Sequence, residues 1–301
     1  MTKNILIVGT GALATLFAVR LAATGANVTL LGTWKNAIEA FNREGARLLQ
    51  PDGSEVRFPV RATDDPSECR GVDLAIVLVK AWQTERAARQ FEKCLPENGF
   101  AVTLQNGLGN REILSARLGA GRVALGVTTT GATLLGPGLA RMGGEGVVSL
   151  EAHPRSGELS GLLRRAGFQV DIVPDVNALV WGKLVVSTAI NPLTALLRIP
   201  NGALLERPGA RLVMAALACE TAAVATALGV SLPFTDPVSF AEDVAQRTAA
   251  NRSSMLQDVE RGVPTEIDAI CGAVARAGEE RGIRAPVNWM MWQLIGALSS
   301  G

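Results

Sequence analysis

The chain has 301 residues, 48% of them hydrophobic and 19% charged, with a net charge of +1. That composition excludes a disordered chain, and the near-neutral balance provides no broad field for nucleic acid or an anionic membrane surface. The length suits one large or two moderate domains, each able to bury its own core.

The first stretch, Asn4 to Ala14, organises the rest. Ile5-Leu6-Ile7-Val8 reads as a strand buried on both faces, and Gly9 ends it abruptly. Leu13, Leu16, Phe17 and Leu21 then recur at helical spacing. Strand, glycine turn and helix in that order are the setting for dinucleotide binding. Gly9 allows the sharp turn, Gly11 admits a pyrophosphate to the backbone, and Ala14 lets helix and strand press together. Thr10, Ala12 and Leu13 would bring their N–H groups to the anion at the helix N-terminus. The alternative is an ordinary glycine turn in an α/β sheet. A secretory signal is rejected, because the apolar run from Ile5 to Val8 is too short for one.

Asn27 to Leu31 is the second strand. An acid at its end would bind the ribose 2′-OH of NAD; the sequence instead runs Gly32-Thr33-Trp34-Lys35, which favours NADP. Ile38 to Gly45 reads as a short helix, and Leu48 to Val60, broken by Pro51-Asp52-Gly53, as a hairpin. Asp73 to Val79 is a further parallel strand that delivers Lys80 at its carboxyl end, with Gln83 beyond it and a helix to about Leu95. Phe100 to Leu104 is the next strand, ending in Gln105-Asn106-Gly107, with a helix over Arg111 to Leu118. Ligands of open parallel sheets bind outside the carboxyl ends of the strands, which makes Lys80 and Asn106 candidates; the bland reading of Asn106-Gly107 is a plain turn.

From Arg122 the β-like runs Val123 to Thr130, Gly138 to Met142 and Gly146 to Leu150 are expected to extend the sheet as antiparallel strands. Leu159 to Ala166 is a helix and Phe168 to Val173 a last strand. Pro174-Asp175 marks a junction, dividing residues 1–174, a Rossmann-type doubly wound α/β domain, from residues 175–301, an all-helical domain expected to carry substrate contacts and any dimer interface. Helical periodicity there covers Val176 to Ile190, Gly209 to Leu228, Val238 to Thr248, Met255 to Glu260 and Thr265 to Arg281, with a tail after Pro286. Leu212 to Val230 is mostly apolar, but central Glu220 would cost about 3 kcal/mol in a membrane. A buried helix in a soluble cytoplasmic protein is expected instead. Cys69, Cys94, Cys219 and Cys271 are scattered with no close pair, which fits free thiols in a reducing compartment. The single histidine, His153, precedes Pro154 in a polar stretch. It is expected in a surface turn, and no metal site is expected.

The helix after Asp175 carries Lys183, Ser187 and, where it reaches Pro192, Asn191. At helical spacing these three fall within an arc of about 80°, a polar stripe on an otherwise apolar helix. Two readings stand: a lysine facing a nicotinamide in a cleft, or a snorkelling lysine with loose polar neighbours. Ser254 with Gln257 fits a capping box, and Glu266 after Pro264-Thr265 fits an acid in a helix's first turn.

Together these motifs resemble the ketopantoate reductase family along essentially the whole chain. The resemblance is carried by Gly9-x-Gly11-Ala12, Lys80-Ala81-Trp82-Gln83, Gln105-Asn106-Gly107, Trp181-Gly182-Lys183, Asn191-Pro192-Leu193-Thr194-Ala195-Leu196, Ser253 to Asp258 and Thr265 to Asp268. It implies an NADPH-dependent reduction of 2-dehydropantoate to (R)-pantoate in pantothenate and coenzyme A biosynthesis, in a cleft between a Rossmann and a helical domain. It also implies roles. Lys183 is the general acid, and Glu266 pairs with it and contacts substrate or ribose. Asn106 lies near nicotinamide and substrate carbonyl. Asn191 and Ser254 hold the substrate hydroxyl and carboxylate, and Lys80 and Gln83 contact the cofactor. Ser187 stands in the substrate-facing row where the family commonly has asparagine, which keeps another small branched 2-oxo acid as an alternative. Thr33 stands where many members have an arginine for the 2′-phosphate, leaving Thr33, Trp34 and Lys35 to meet that group. A non-catalytic NADP-binding sensor is the rival of another class; it would have no need of Lys183 and Glu266. A homodimer is the candidate assembly.

Overall fold

The structure is a computed structural model that describes residues 3–69 and 71–298. The chain forms two compact units. The first runs to Gln105 and resumes over Asn110–Val176; the second takes Asn106–Gly109 and the chain from Asn177 onward. The helical unit therefore borrows a four-residue loop from within the α/β sequence.

The first unit strings together β1 (Asn4–Val8), α1 (Ala12–Ala23), β2 (Asn27–Leu31), α2 (Lys35–Glu44), β3 (Ala46–Leu49), β4 (Glu55–Phe58), β5 (Arg61–Thr63), β6 (Leu74–Val77), α3 (Thr84–Phe91), β7 (Phe100–Thr103), α4 (Asn110–Leu118), β8 (Val123–Thr128), β9 (Gly131–Gly136), β10 (Leu139–Gly144), β11 (Val147–Glu151), α5 (Ser156–Arg165) and β12 (Gln169–Val173). Its main sheet has the order β12-β11-β8-β7-β6-β1-β2-β5. β1 pairs in parallel with β2 on one side and β6 on the other, Val8 standing opposite both Leu31 and Val77. The strand order reverses at β1, so the carboxyl end of β1 is the switch point where such sheets bind ligands. The continuous apolar run of β1 follows from this central position. Ile5 and Ile7 enter one core with Leu16, Phe17 and Leu30, while Leu6 and Val8 enter a second core on the opposite face with Ala88, Phe91 and Leu114. Alternating side chains serve opposite faces, and both faces are covered. Each fully buried large apolar side chain contributes roughly 1.5–3 kcal/mol.

One expectation changes here. Residues 123–150 do not extend the main sheet as one antiparallel set. β8 joins β7 in parallel and only β11 runs antiparallel to β8, with β12 parallel to β11. β9 and β10 form a hairpin that leaves for a separate four-stranded sheet of order β4-β3-β10-β9, in which β10 pairs in parallel with β3. That second sheet lies against α1, where buried Leu48 and Ala140 join the core of Leu16 and Phe17. Alternation in a strand specifies a buried face but not the partner strand, and short glycine-rich strands fix their register weakly. Cys69 and Cys94 are buried free thiols in one core, with Cys94 Sγ donating to the Phe91 carbonyl at 3.3 Å. His153 is bound in a turn, its Nε2 3.0 Å from the Gly121 carbonyl and its Nδ1 accepting from the Arg155 N–H at 3.2 Å.

The second unit comprises α6 (Val176–Leu197), α7 (Pro208–Ala227), α8 (Pro237–Arg247), α9 (Ser254–Glu260), a π-helical turn over Asp268–Gly272, α10 (Ala273–Glu280) and α11 (Pro286–Leu298). α6 and α7 are long and apolar enough to cross a membrane by length and composition. Their residues Trp181, Leu184, Val185, Met214 and Leu217 are buried in this unit's core. Glu220, the acid in the middle of α7, caps α11: its carboxylate accepts from the Val287 and Asn288 N–H groups, each at 2.9 Å. It thereby satisfies two of the donors that a helix start leaves open.

Candidate active site

At the end of β1 the backbone turns at Gly9, with φ +134°. A Cβ there would meet the backbone of Leu78 at 3.0 Å, so any side chain would push β1 and β6 apart. Gly11 is the N-cap of α1 and supplies no side-chain cap; a Cβ on it would meet nothing within 4 Å. The first N–H groups of α1, at Ala12 and Leu13, have no acceptor within the helix and stand at its positive end. These residues fit a dinucleotide pyrophosphate on their own geometry.

A crevice at this point is lined by Gly9, Thr10, Gly32, Thr33, Trp34 and Gln83 among others. Gln83 ends the short 3₁₀ turn Ala81–Gln83, and Lys80 stands at its N-cap. Five of the residues expected at the cofactor, Gly9, Thr10, Thr33, Trp34 and Gln83, therefore line one crevice. Lys35 does not line it. Its ammonium pairs with Asp64 at 2.7 Å on the surface, and that bond holds its pKa above the usual lysine value. The sequence reading also passed over Arg86. It comes from α3, lines the crevice, and donates from Nη2 to the Thr33 hydroxyl at 3.0 Å. Its place three residues after Gln83, on the same helical face, was the available signal.

The helical unit assembles a second array. Lys183 Nζ donates to Asn106 Oδ1 at 2.8 Å, and Asn106 Nδ2 donates to Glu266 Oε2 at 3.1 Å. One side-chain amide bridges the ammonium and the carboxylate. Glu266 is buried at 5% exposure and Lys183 is half-buried. Burial pushes the Lys183 pKa down to about 8, against the opposing pull of the negative Glu266.

Local backbone explains how Asn106 arrives there. After Glu266 the helix opens into its π turn, where the Gly272 N–H reaches the Ile267 carbonyl at 3.0 Å. The Ala269 carbonyl accepts instead from the Leu108 N–H at 2.9 Å. Gly107, with φ +80°, passes so close that a Cβ would stand 2.4 Å from that carbonyl oxygen. Asn106-Gly107 is thus more than a turn, and π turns of this kind recur where a helix serves a site. Just before it, Gln105 anchors the loop: its Nε2 donates to the Val79 carbonyl at 2.9 Å and to Thr84 Oγ1 at 2.8 Å.

Ser187 and Asn191 are half-buried along α6 with Lys183, as the helical spacing predicts. Neither side chain has a hydrogen-bond partner among the described residues. The capping expectation is corrected by one residue. Ser253 is the N-cap of α9, its Oγ accepting from the Leu256 N–H at 3.1 Å, and Gln257 reaches back to the Arg252 carbonyl at 2.9 Å. Ser254 occupies the first helical position, and its half-buried hydroxyl is not used as the cap. Among the described residues, no three of His, Cys, Asp and Glu are grouped so as to hold a metal ion.

A glycine-turn nucleotide crevice and a lysine–amide–carboxylate array are the equipment of a nicotinamide-dependent oxidoreductase. Residues 5–155 match the family described as Ketopantoate reductase PanE/ApbA, and residues 175–299 match Ketopantoate reductase PanE/ApbA C terminal. The chain belongs to this family and is an NAD(P)-binding oxidoreductase. It is 36% identical over 304 residues to a 2-dehydropantoate 2-reductase of Archaeoglobus fulgidus, covering 99% of each chain. Among solved structures it resembles a PanE/ApbA family ketopantoate reductase from Ralstonia eutropha JMP134 (TM-score 0.92, 30% identity, 98% of both chains). It also resembles D-mandelate dehydrogenase in ternary complex with NADH and anilino(oxo)acetate (TM-score 0.91, 25% identity, 98% of both chains).

Proposed function

We propose that the chain catalyses the NADPH-dependent reduction of 2-dehydropantoate to (R)-pantoate, in the cytoplasm, as a step of pantothenate biosynthesis. The observation that carries the reading is the bridge from Lys183 through Asn106 to Glu266. A dinucleotide held by its pyrophosphate at the glycine turn would supply a hydride from its nicotinamide. Reduction of a 2-oxo acid leaves negative charge on the former carbonyl oxygen, which needs a positioned proton donor. Lys183 is that donor: still protonated near neutral pH, yet lowered enough to release its proton. Asn106 fixes the direction of the ammonium, and Glu266 holds the amide the right way round. Ser187, Asn191 and Ser254 supply hydroxyl and amide groups for the substrate's carboxylate and hydroxyl.

A second reading, reduction of a different small 2-oxo acid, is favoured by Ser187 and by the likeness to an enzyme solved with an oxo acid analogue. Purified protein assayed with NADPH across a panel of 2-oxo acids separates the two. The highest kcat/KM is expected with 2-dehydropantoate; absence of turnover with that compound, alongside turnover of another 2-oxo acid, establishes the second reading.

A further inference from the structure

We propose that Arg86, on α3, is the residue that recognises the 2′-phosphate of NADPH. The inference rests on the NADPH reading and names the side chain responsible for it.

In a Rossmann unit the adenosine ribose lies at the carboxyl end of the second strand, where an acid selects NAD and a neighbouring arginine accommodates a 2′-phosphate. Here β2 ends at Leu31, and no acid follows through Gly32, Thr33 and Trp34. The cation nearest in sequence, Lys35, is three-quarters exposed and held by Asp64. Arg86 is placed differently. It lines the same crevice as Gly9 and Thr10, and its Nη2 rests 3.0 Å from Thr33 Oγ1. Neighbouring cations are matched to acids: Arg89 and Arg117 to Glu85, and Arg61 to Glu68. Among the described residues Arg86 has no carboxylate partner. A guanidinium carries five donors in a planar fork that suits phosphate, and the bond to Thr33 uses one of them. The Thr33 hydroxyl is itself a donor once a phosphate approaches, so the two side chains form a paired anion site. That α3 supplies the charge explains how the crevice can favour NADPH without a basic residue at the end of β2.

The test is a direct binding titration of NADPH, NADH and 2′,5′-ADP by calorimetry, on wild type, Arg86→Ala and Lys35→Ala. Wild type is expected to bind NADPH more tightly than NADH. Arg86→Ala is expected to weaken NADPH and 2′,5′-ADP roughly 10- to 100-fold, the scale of hydrogen bonds to a charged group, with NADH affinity changed less than about twofold. Lys35→Ala is expected to weaken NADPH less than about threefold. A wild type that prefers NADPH and an Arg86→Ala protein that keeps the same preference would overturn the assignment while leaving the NADPH reading intact. A wild type that binds both cofactors equally would overturn both. The readout is binding, so it does not depend on which 2-oxo acid is reduced.

Discussion

At the scale of single residues, the general-acid role proposed for Lys183 implies a pH dependence set by its environment. Burial favours its neutral form, and the negative charge of Glu266 favours the charged form; burial prevails, leaving the pKa near 8. In the proposed role, reduction requires the protonated amine. The kcat/KM for reduction is therefore expected to be level below pH about 8 and to fall as pH rises through it, while the reverse oxidation rises through the same range. Glu266→Gln removes the charge that raises the lysine pKa, so the falling limb should move to lower pH. Lys183→Ala should retain NADPH binding and lose at least about 100-fold in turnover, the usual scale for a general acid. The measurement is a pH–rate profile of the three proteins at saturating NADPH. A profile in Glu266→Gln that matches wild type would remove the electrostatic role given to Glu266.

At the scale of elements, α6 and α9 are joined by buried hydroxyls. α6 continues through Pro192, which has no N–H to give the preceding turn. The Thr194 hydroxyl lies 2.9 and 3.0 Å from the carbonyls of Ile190 and Asn191 and 2.7 Å from Ser253 Oγ. Thr194 Oγ1 donates to Ser253 Oγ, and the two carbonyls at the helix bend are alternative acceptors for the same proton. Ser253 Oγ in turn accepts from the Leu256 N–H. A single relay thus sets the backbone at Asn191 and starts the helix at Ser254. Ser253→Ala removes both the cap and the link. It is expected to cost about 1–2 kcal/mol in stability and to raise KM for the 2-oxo acid while leaving KM for NADPH unchanged. Ser253→Thr, which keeps the hydroxyl, should restore most of both. Urea unfolding and steady-state kinetics on the pair decide it; an unchanged oxo acid KM in Ser253→Ala would separate the relay from substrate binding.

At the scale of the whole molecule, what the sequence reveals divides by range. The β1–glycine–α1 unit is legible because strand run, turn residues and helical period all fall within about twenty residues. The row of Lys183, Ser187 and Asn191 is legible because one helix spaces it. Partners brought together by folding are not. Asn106 meets Glu266 across 160 positions and Arg86 meets Thr33 across 53, and no local pattern encodes either meeting. The second sheet was hidden for the same reason, because β3 and β10 pair over a long stretch of intervening chain. The two units also keep separate cores: Ile5, Phe17 and Phe100 in one, Trp181, Met214 and Ile270 in the other. Separate cores allow heat to unfold the chain in more than one step. Ligand binding adds stability only to the state that binds. NADPH at a hundred times its dissociation constant contributes about 2.7 kcal/mol. For a unit of this size that corresponds to an upward shift of about 5–10 °C. Differential scanning calorimetry is therefore expected to resolve two transitions, with NADPH raising one far more than the other. One transition whose calorimetric and van't Hoff enthalpies agree, with and without NADPH, would show instead that the units unfold as a single cooperative body.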